Sequence, residues 1–153
     1  MHTLVDGRGL PLVIEAGPGH GSDSPMLPVL LGYLRVERKG PGRARTRPDA
    51  LRADKAYSSR AHRELLRGHG VKAVIPERSD QQRNRARRGS AGGRPVSYDV
   101  ESYKGRNVVE RSYEKLKQWR GLATRYDKLA VIFRGGAVLR AITLWVKDLG
   151  DTA

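Results

Sequence analysis

No cysteine occurs among the 153 residues, which excludes a disulfide framework and a thiolate-ligated zinc site. Aromatic residues make up only 6% of the chain, so there is little from which to build the base-stacking platforms of RNA and single-strand readers. Long apolar runs are missing too. The opening MHTLVDGRGLPLV has no charged segment ahead of an apolar core and does not read as a secretory signal. The most apolar region, Leu129 to Val146, is interrupted by Arg134, Gly135, Gly136 and Arg140 and is too broken to span a bilayer. It reads instead as a buried helix, and the whole as an intracellular protein. Acidic residues are in deficit, 16 Asp and Glu against 30 Lys and Arg, giving a net charge of +14 and a pI near 10.7. Such a charge points to a polyanionic partner, nucleic acid first. The basic residues are not gathered on one amphipathic helix with a bulky apolar face, which argues against a membrane surface.

The length fits one domain over residues 1–153. HTLV and LPLVIEA flank DGRG, an Asp-Gly hairpin signal. After the loop GPGHGSDS, Ser24 is placed to cap a helix with Pro25 at its first position, running through MLPVLLGYL. RVERKGPGRARTRPDA has no period and reads as a basic loop. ALRADKAY predicts a strand ending near Asp54, then a helix capped by Ser58 or Ser59 and closed by Gly70, then a strand VKAVIP stopped by Pro76. The insert at about 77–97 carries six arginines between Glu77 and Pro95 with almost nothing apolar, and is expected to be a loop. Two helices follow, one at about 103–119 and one from Asp127 to Lys147. The order is that of an α/β fold, with helices covering a small mixed sheet.

With Tyr103 set to zero on a helix of about 100° per residue, Arg106 falls near −60°, Glu110 near −20° and Lys117 near −40°. Val108, Val109, Leu116 and Trp119 fall on the opposite side, as a core face. By spacing alone Glu110 is equally a solvated helix acid paired with Arg106. Asp54 likewise reads as a capping or turn residue, but it also stands at the carboxyl end of a strand, where open α/β sheets gather ligands. Two carboxylates amid arginines suit Mg²⁺ or Mn²⁺, and cations around them would hold a phosphate backbone without reading sequence.

Tyr103, Arg106, Glu110 and Lys117 reproduce Y-(2)-R-(3)-E-(6)-K, four residue types at three fixed spacings. ADKAYSS, GRNVVERSYEKLKQWRGLATRYDKLA and VIPERSDQQRNRARRGSAGGRP add to the match. Nearly the whole chain thereby resembles DDE transposases of the bacterial insertion-sequence four and five grouping, in their C-terminal part. The resemblance implies an RNase H-like core, a mixed sheet with helices on both faces, here lacking its first strand. It implies DNA transposition with divalent ions on an Asp-Asp-Glu triad, in which Asp54 is similar to the second acid and Glu110 to the third. Both would be catalytic metal ligands, while Tyr103, Arg106 and Lys117 would lie near bound DNA. Asp6 matches the hairpin turn rather than the first acid. The family's DNA-binding segment ahead of the first strand is not matched either.

The expected activity is metal-dependent DNA cleavage and strand transfer at transposon ends, incomplete in this chain. The expected partners are DNA, an oligomeric assembly and an upstream half of the transposase joined by frameshifting, with a truncated remnant as the equal alternative, in a bacterial cytoplasm at the nucleoid. A catalytically inactive DNA-binding fragment or regulator is the other reading. A ribosomal or nucleoid-type basic protein is the third.

Overall fold

The computed structural model describes residues 1–17, 23–124 and 126–151. The central part of the expected GPGHGSDS loop lies outside them. The chain divides into two compact units, one of Met1–Ser22, Val29–Thr46 and Asn107–Ala153, the other of Asp23–Pro28 and Arg47–Arg106. Helix α1 (Met26–Tyr33) begins in the second and ends in the first.

In the first unit, β1 (His2–Val5) pairs antiparallel with β2 (Pro11–Glu15), with an irregularity between Leu4 and Val5. Asp6 makes the turn, as expected. Its Oδ1 accepts the backbone N–H groups of Arg8 at 2.8 Å and Leu10 at 2.9 Å. Gly9 sits at φ +86°, and a Cβ there would lie 3.1 Å from Val108 Cγ1 and 3.3 Å from Val108 O. That places the turn directly on α5 (Asn107–Lys117), where Ser112 is the small buried residue beneath it. The core joins Ile14, Leu116, Leu122 of α6 (Arg120–Thr124), and Ala137 and Ala141 of α7 (Ala130–Gly150).

Helix α7 grips the hairpin through polar arms. Trp145 Nε1 donates to Pro11 O at 2.8 Å, and Arg134 Nε donates to Ile14 O at 2.9 Å. These satisfy carbonyls of β2, so its backbone is partnered beyond the β1 ladder. Arg140 donates to Lys115 O, a carbonyl in the last turn of α5 that no intrahelical N–H can reach. The expected buried helix thus runs Ala130–Gly150 and buries one face only. Leu139, Ile142 and Val146 are exposed, because its inner face is narrowed to small residues that let the hairpin come close.

In the second unit, β3 (Ala50–Arg52) and β4 (Lys72–Val74) are parallel neighbours, joined through α2 (Arg60–Gly68). Ser59 caps α2 by accepting from His62 N at 3.1 Å, and Gly70 turns the chain back at φ +65°. Leu51, Leu66, Val71, Val74 and Ile75 are buried. Among the described residues the four strands form two pairs rather than one hydrogen-bonded sheet.

The basic insert is not a loop. It forms α3 (Ser79–Arg87) and a 3₁₀ turn, Gly89–Gly92. Having no apolar face excludes a core position but not a helix, since Arg and Gln are good helix formers. Polar contacts anchor it: Gln81 Nε2 donates to Ser58 O at 2.6 Å and Arg85 pairs with Glu77.

Replacing Gly9 by Ala is expected to lower the stability of the first unit by about 1–3 kcal/mol, and Leu116→Ala by about 2–5 kcal/mol. Both tryptophans, Trp119 and Trp145, lie in that unit, so denaturation followed by their fluorescence checks both values.

Candidate functional site

Asp54 follows β3 and opens the 3₁₀ turn Lys55–Tyr57, with Oδ1 accepting from Lys55 N at 2.6 Å. Its capping role is therefore real, and it uses one oxygen. The other, Oδ2, faces Arg106 Nη1 at 3.9 Å, with the carboxylate side chain 55% exposed. The pair is at the outer limit of ion-pair distance, an arrangement that contributes little to stability and leaves the acid accessible.

Arg106 is held there by a break in the expected helix. Instead of one helix over 103–119 there are two, α4 (Val100–Lys104) and α5, separated by Gly105 and Arg106. In a continuous helix the Arg106 N–H would bond to Ser102 O. That carbonyl is taken by Arg52 Nε at 2.7 Å, with Ser102 Oγ at 3.1 Å from the same nitrogen. The Arg106 N–H turns instead to Tyr103 O at 2.9 Å, a tighter bond of 3₁₀ type. Gly105, a poor helix former, leaves the break cheap and packs against the Arg52 guanidinium, 3.7 Å from where its Cβ would be.

Aromatic rings complete the arrangement. The Arg106 guanidinium lies 5.8 Å from the Tyr103 ring, and Tyr103 meets Tyr98 edge-to-face at 5.7 Å. Helix α4 is fixed at its start by Asp99, which accepts from Ser102 N at 2.9 Å and approaches Lys72 Nζ at 3.4 Å. The Ser102 N–H, and after it the Lys72 ammonium, hold the Asp99 carboxyl below its ordinary 3.8.

Three predicted residues, Asp54, Tyr103 and Arg106, are thus brought together in the second unit. Glu110 and Lys117 belong to the first, on α5. Glu110 stands in its exposed first turn and Lys117 in its last, both favourable ends for their charges. Seven residues apart, they share one side of α5 about 10 Å from each other along the axis. The single polar stripe from Tyr103 to Lys117 is corrected accordingly, because the break at Gly105 resets the helical phase. The core face holds for Leu116 but not for Trp119, which lies past the end of α5 and stacks on Arg140 at 5.7 Å.

Among the described residues no three His, Cys, Asp or Glu side chains cluster as a metal site. Asp54 and Glu110, one in each unit, are each an exposed hard oxygen donor of the kind Mg²⁺ and Mn²⁺ accept. No helix is long and apolar enough to cross a membrane among those residues. Beside α2 a cleft of about 440 Å³ is lined by both charges, Arg60, Arg63 and Arg67 with Glu64 and Glu77. Burial lowers the pKa of Arg63, against the opposing pull of Glu77.

The family described as "Transposase DDE domain" matches residues 1–145. The chain belongs to this family. It is 29% identical over 147 residues to a Brucella ovis protein named "Putative transposase for insertion sequence element IS6501", covering 96% of this chain and 97% of that one. It is 31% identical over 139 residues to a Burkholderia cepacia protein named "Putative transposase for insertion sequence element IS402", covering 91% of this chain and 57% of that one. No solved structure matches.

Sequence reasoning missed Arg52 and Asp99. Asp99 was detectable, since Asp is a favoured N-cap residue and stands just ahead of a short helix. Arg52 gave no signal, because its effect runs through a carbonyl fifty residues away.

A depressed Asp99 value stabilises the folded unit above pH 3.8, and that contribution is lost as the pH falls through the folded value. Acid titration followed at the Ser102 amide should show α4 fraying below pH 3.8 in the native chain. In Asp99→Asn this acid-dependent step should be missing.

Proposed function

We propose that this DDE transposase domain cleaves and transfers DNA strands at insertion-element ends in a metal-dependent reaction, as a member of the insertion-sequence four and five grouping. The single observation that carries the reading is the Arg106 guanidinium set at the exposed Asp54 carboxylate by a purposeful helix break. Asp54 and Glu110 would hold Mg²⁺ or Mn²⁺. When bound, such ions activate the attacking oxygen and stabilise the leaving one.

The remaining chemistry belongs to the protein. Arg106, 3.9 Å from the accessible Asp54 carboxylate, would offer its guanidinium to a phosphate, a geometry for which its planar donors are suited. Tyr103 restrains it by stacking. Lys117, further along α5, takes a second backbone phosphate, and the exposed arginines of α3 add contacts that fix position without reading bases. In this reading the chain is one functional domain with an RNase H-like core, and it works on DNA at the bacterial nucleoid.

Asp6 is committed to its turn through two backbone N–H groups and a bond to Arg8. Asp6 is therefore not assigned as the first acid of the triad. A second reading, a DNA-binding regulator without chemistry, is favoured by the lack of a three-acid cluster among the described residues.

With the upstream half supplied, Mn²⁺-dependent cleavage of end-bearing duplexes is expected, and Asp54→Asn or Glu110→Gln should each reduce it by a factor on the order of 10³ or more. Arg106→Ala should weaken DNA binding and flatten its salt dependence by roughly one ion. Undiminished cleavage in either acid variant contradicts the site; salt-dependent binding with no cleavage under any condition selects the regulator.

A further inference from the structure

Arg52 ends β3 two residues ahead of Asp54. The extended chain continues past the strand, with Ala53 N donating to Val74 O at 3.4 Å and Asp54 itself extended at φ −70° and ψ 165°. Side chains two apart on extended backbone project to the same face, roughly 7 Å from each other. Both reach the segment that ends α4. Arg52 Nε donates to Ser102 O at 2.7 Å, with Ser102 Oγ at 3.1 Å from the same nitrogen, while Asp54 Oδ2 faces Arg106 Nη1 at 3.9 Å. Arg52 thus stands beside the accessible acid without forming an ion pair among the described residues.

The anchor uses the Nε–H alone. A guanidinium carries four further N–H donors on Nη1 and Nη2, and among the described residues those of Arg52 meet no protein acceptor. The side chain is exposed. The other two arginines that bond a backbone carbonyl through Nε spend their outer nitrogens within the fold. Arg134 Nη2 donates to Glu15, and the Nη groups of Arg140 donate to Lys115 O, Gln118 and Thr143. Holding Ser102 O requires one N–H at the Nε position, which an uncharged side chain could supply. The charged outer edge of Arg52 is not explained by the anchor.

Such an edge suits a particular ligand. The paired Nη donors lie in one plane and match two oxygens of a single oxyanion. Asp54 read as the site of DNA chemistry, on which this inference rests, brings a phosphodiester to the face that Arg52 shares. A phosphate approaching the Asp54 carboxylate is repelled by it, and a second unpaired cation on the same face offsets that repulsion. Because Nε is already fixed on the two Ser102 oxygens, the guanidinium gives up less freedom on binding than an untethered side chain would.

We infer that Arg52 is a phosphate-gripping residue of the Asp54 site. Its Nε holds Ser102 O, and its Nη edge binds a DNA backbone phosphate beside Asp54. With Arg106 it gives the acid two guanidinium neighbours, one carried by the end of β3 and the other by the segment after α4.

Two substitutions separate the anchor from the grip. Arg52→Gln puts an amide nitrogen at the Nε position, keeping the bond to Ser102 O while removing the charge and the Nη edge. Arg52→Lys keeps the charge but puts a methylene at the anchoring position. Binding of the full chain to a short duplex of arbitrary sequence is followed by fluorescence anisotropy over a salt series, and the Gly105 and Arg106 amides by ¹⁵N spectra. Arg52→Gln is expected to leave both amides in place, to lower affinity on the order of tenfold at about 0.1 M salt, and to flatten the salt slope by roughly one ion. Arg52→Lys should move both amides and keep the slope. In an Arg106→Ala background, Arg52→Gln should remove a further ion. A loss that disappears in that background overturns the proposal, since Arg52 would then act only through Arg106. An unchanged slope in Arg52→Gln beside a reduced one in Arg106→Ala also overturns it and leaves the Asp54 reading standing. Unchanged slopes in both single variants overturn that reading as well.

Discussion

One carbonyl group organises the candidate site. Ser102 O would close the next turn of a helix running from α4 into α5, and Arg52 Nε takes it at 2.7 Å. The consequence is an end to α4 at Gly105, with Arg106 Nη1 3.9 Å from Asp54 Oδ2. The same contact ties α4 to the end of β3, so the acid and its cation are positioned by one strand. A charge-assisted bond to a backbone carbonyl is stronger than a neutral one, and Ser102 O shares its second lone pair with the Gly105 N–H at 3.3 Å, which closes α4.

Arg52 is one of several arginines used in this way. Arg47 donates to His69 O, Arg63 to Ile75 O, Arg134 to Ile14 O and Arg140 to Lys115 O. Three of these carbonyls lie in the last turn or just past the end of a regular element, and the fourth, Ile14 O, lies within β2. The large positive charge is thus partly structural, and charge alone overstates how much of the surface is given to a polyanion. The arginines of α3 differ, since most lie on an exposed helix with no core to serve.

Local signals were legible where the chemistry is local. The Asp6 turn, the Ser59 cap, Gly70 and the position of Asp54 after β3 all follow from neighbours a few residues away. The break in the 103–119 helix was not, because it depends on Arg52, and Gly105 alone is tolerated within helices. The insert was misread because a lack of apolar residues speaks to burial, not to helix formation. The hydropathy of α7 predicts a buried helix, whereas its two apolar faces have different fates. For the site, the family's residue pattern supplied Glu110 and Lys117, whose spacing alone equally fitted a solvated helix.

The most direct measurement of the central claim is Mn²⁺ titration of the ¹⁵N-labelled chain, read as selective broadening of backbone amides. If Asp54 and Glu110 are the metal acids, resonances of Lys55, Arg106 and Glu110 should broaden first, and Asp54→Asn should remove the effect at Lys55 and Arg106. Broadening that is uniform over the chain, or that spares the residues around Asp54, would contradict the account.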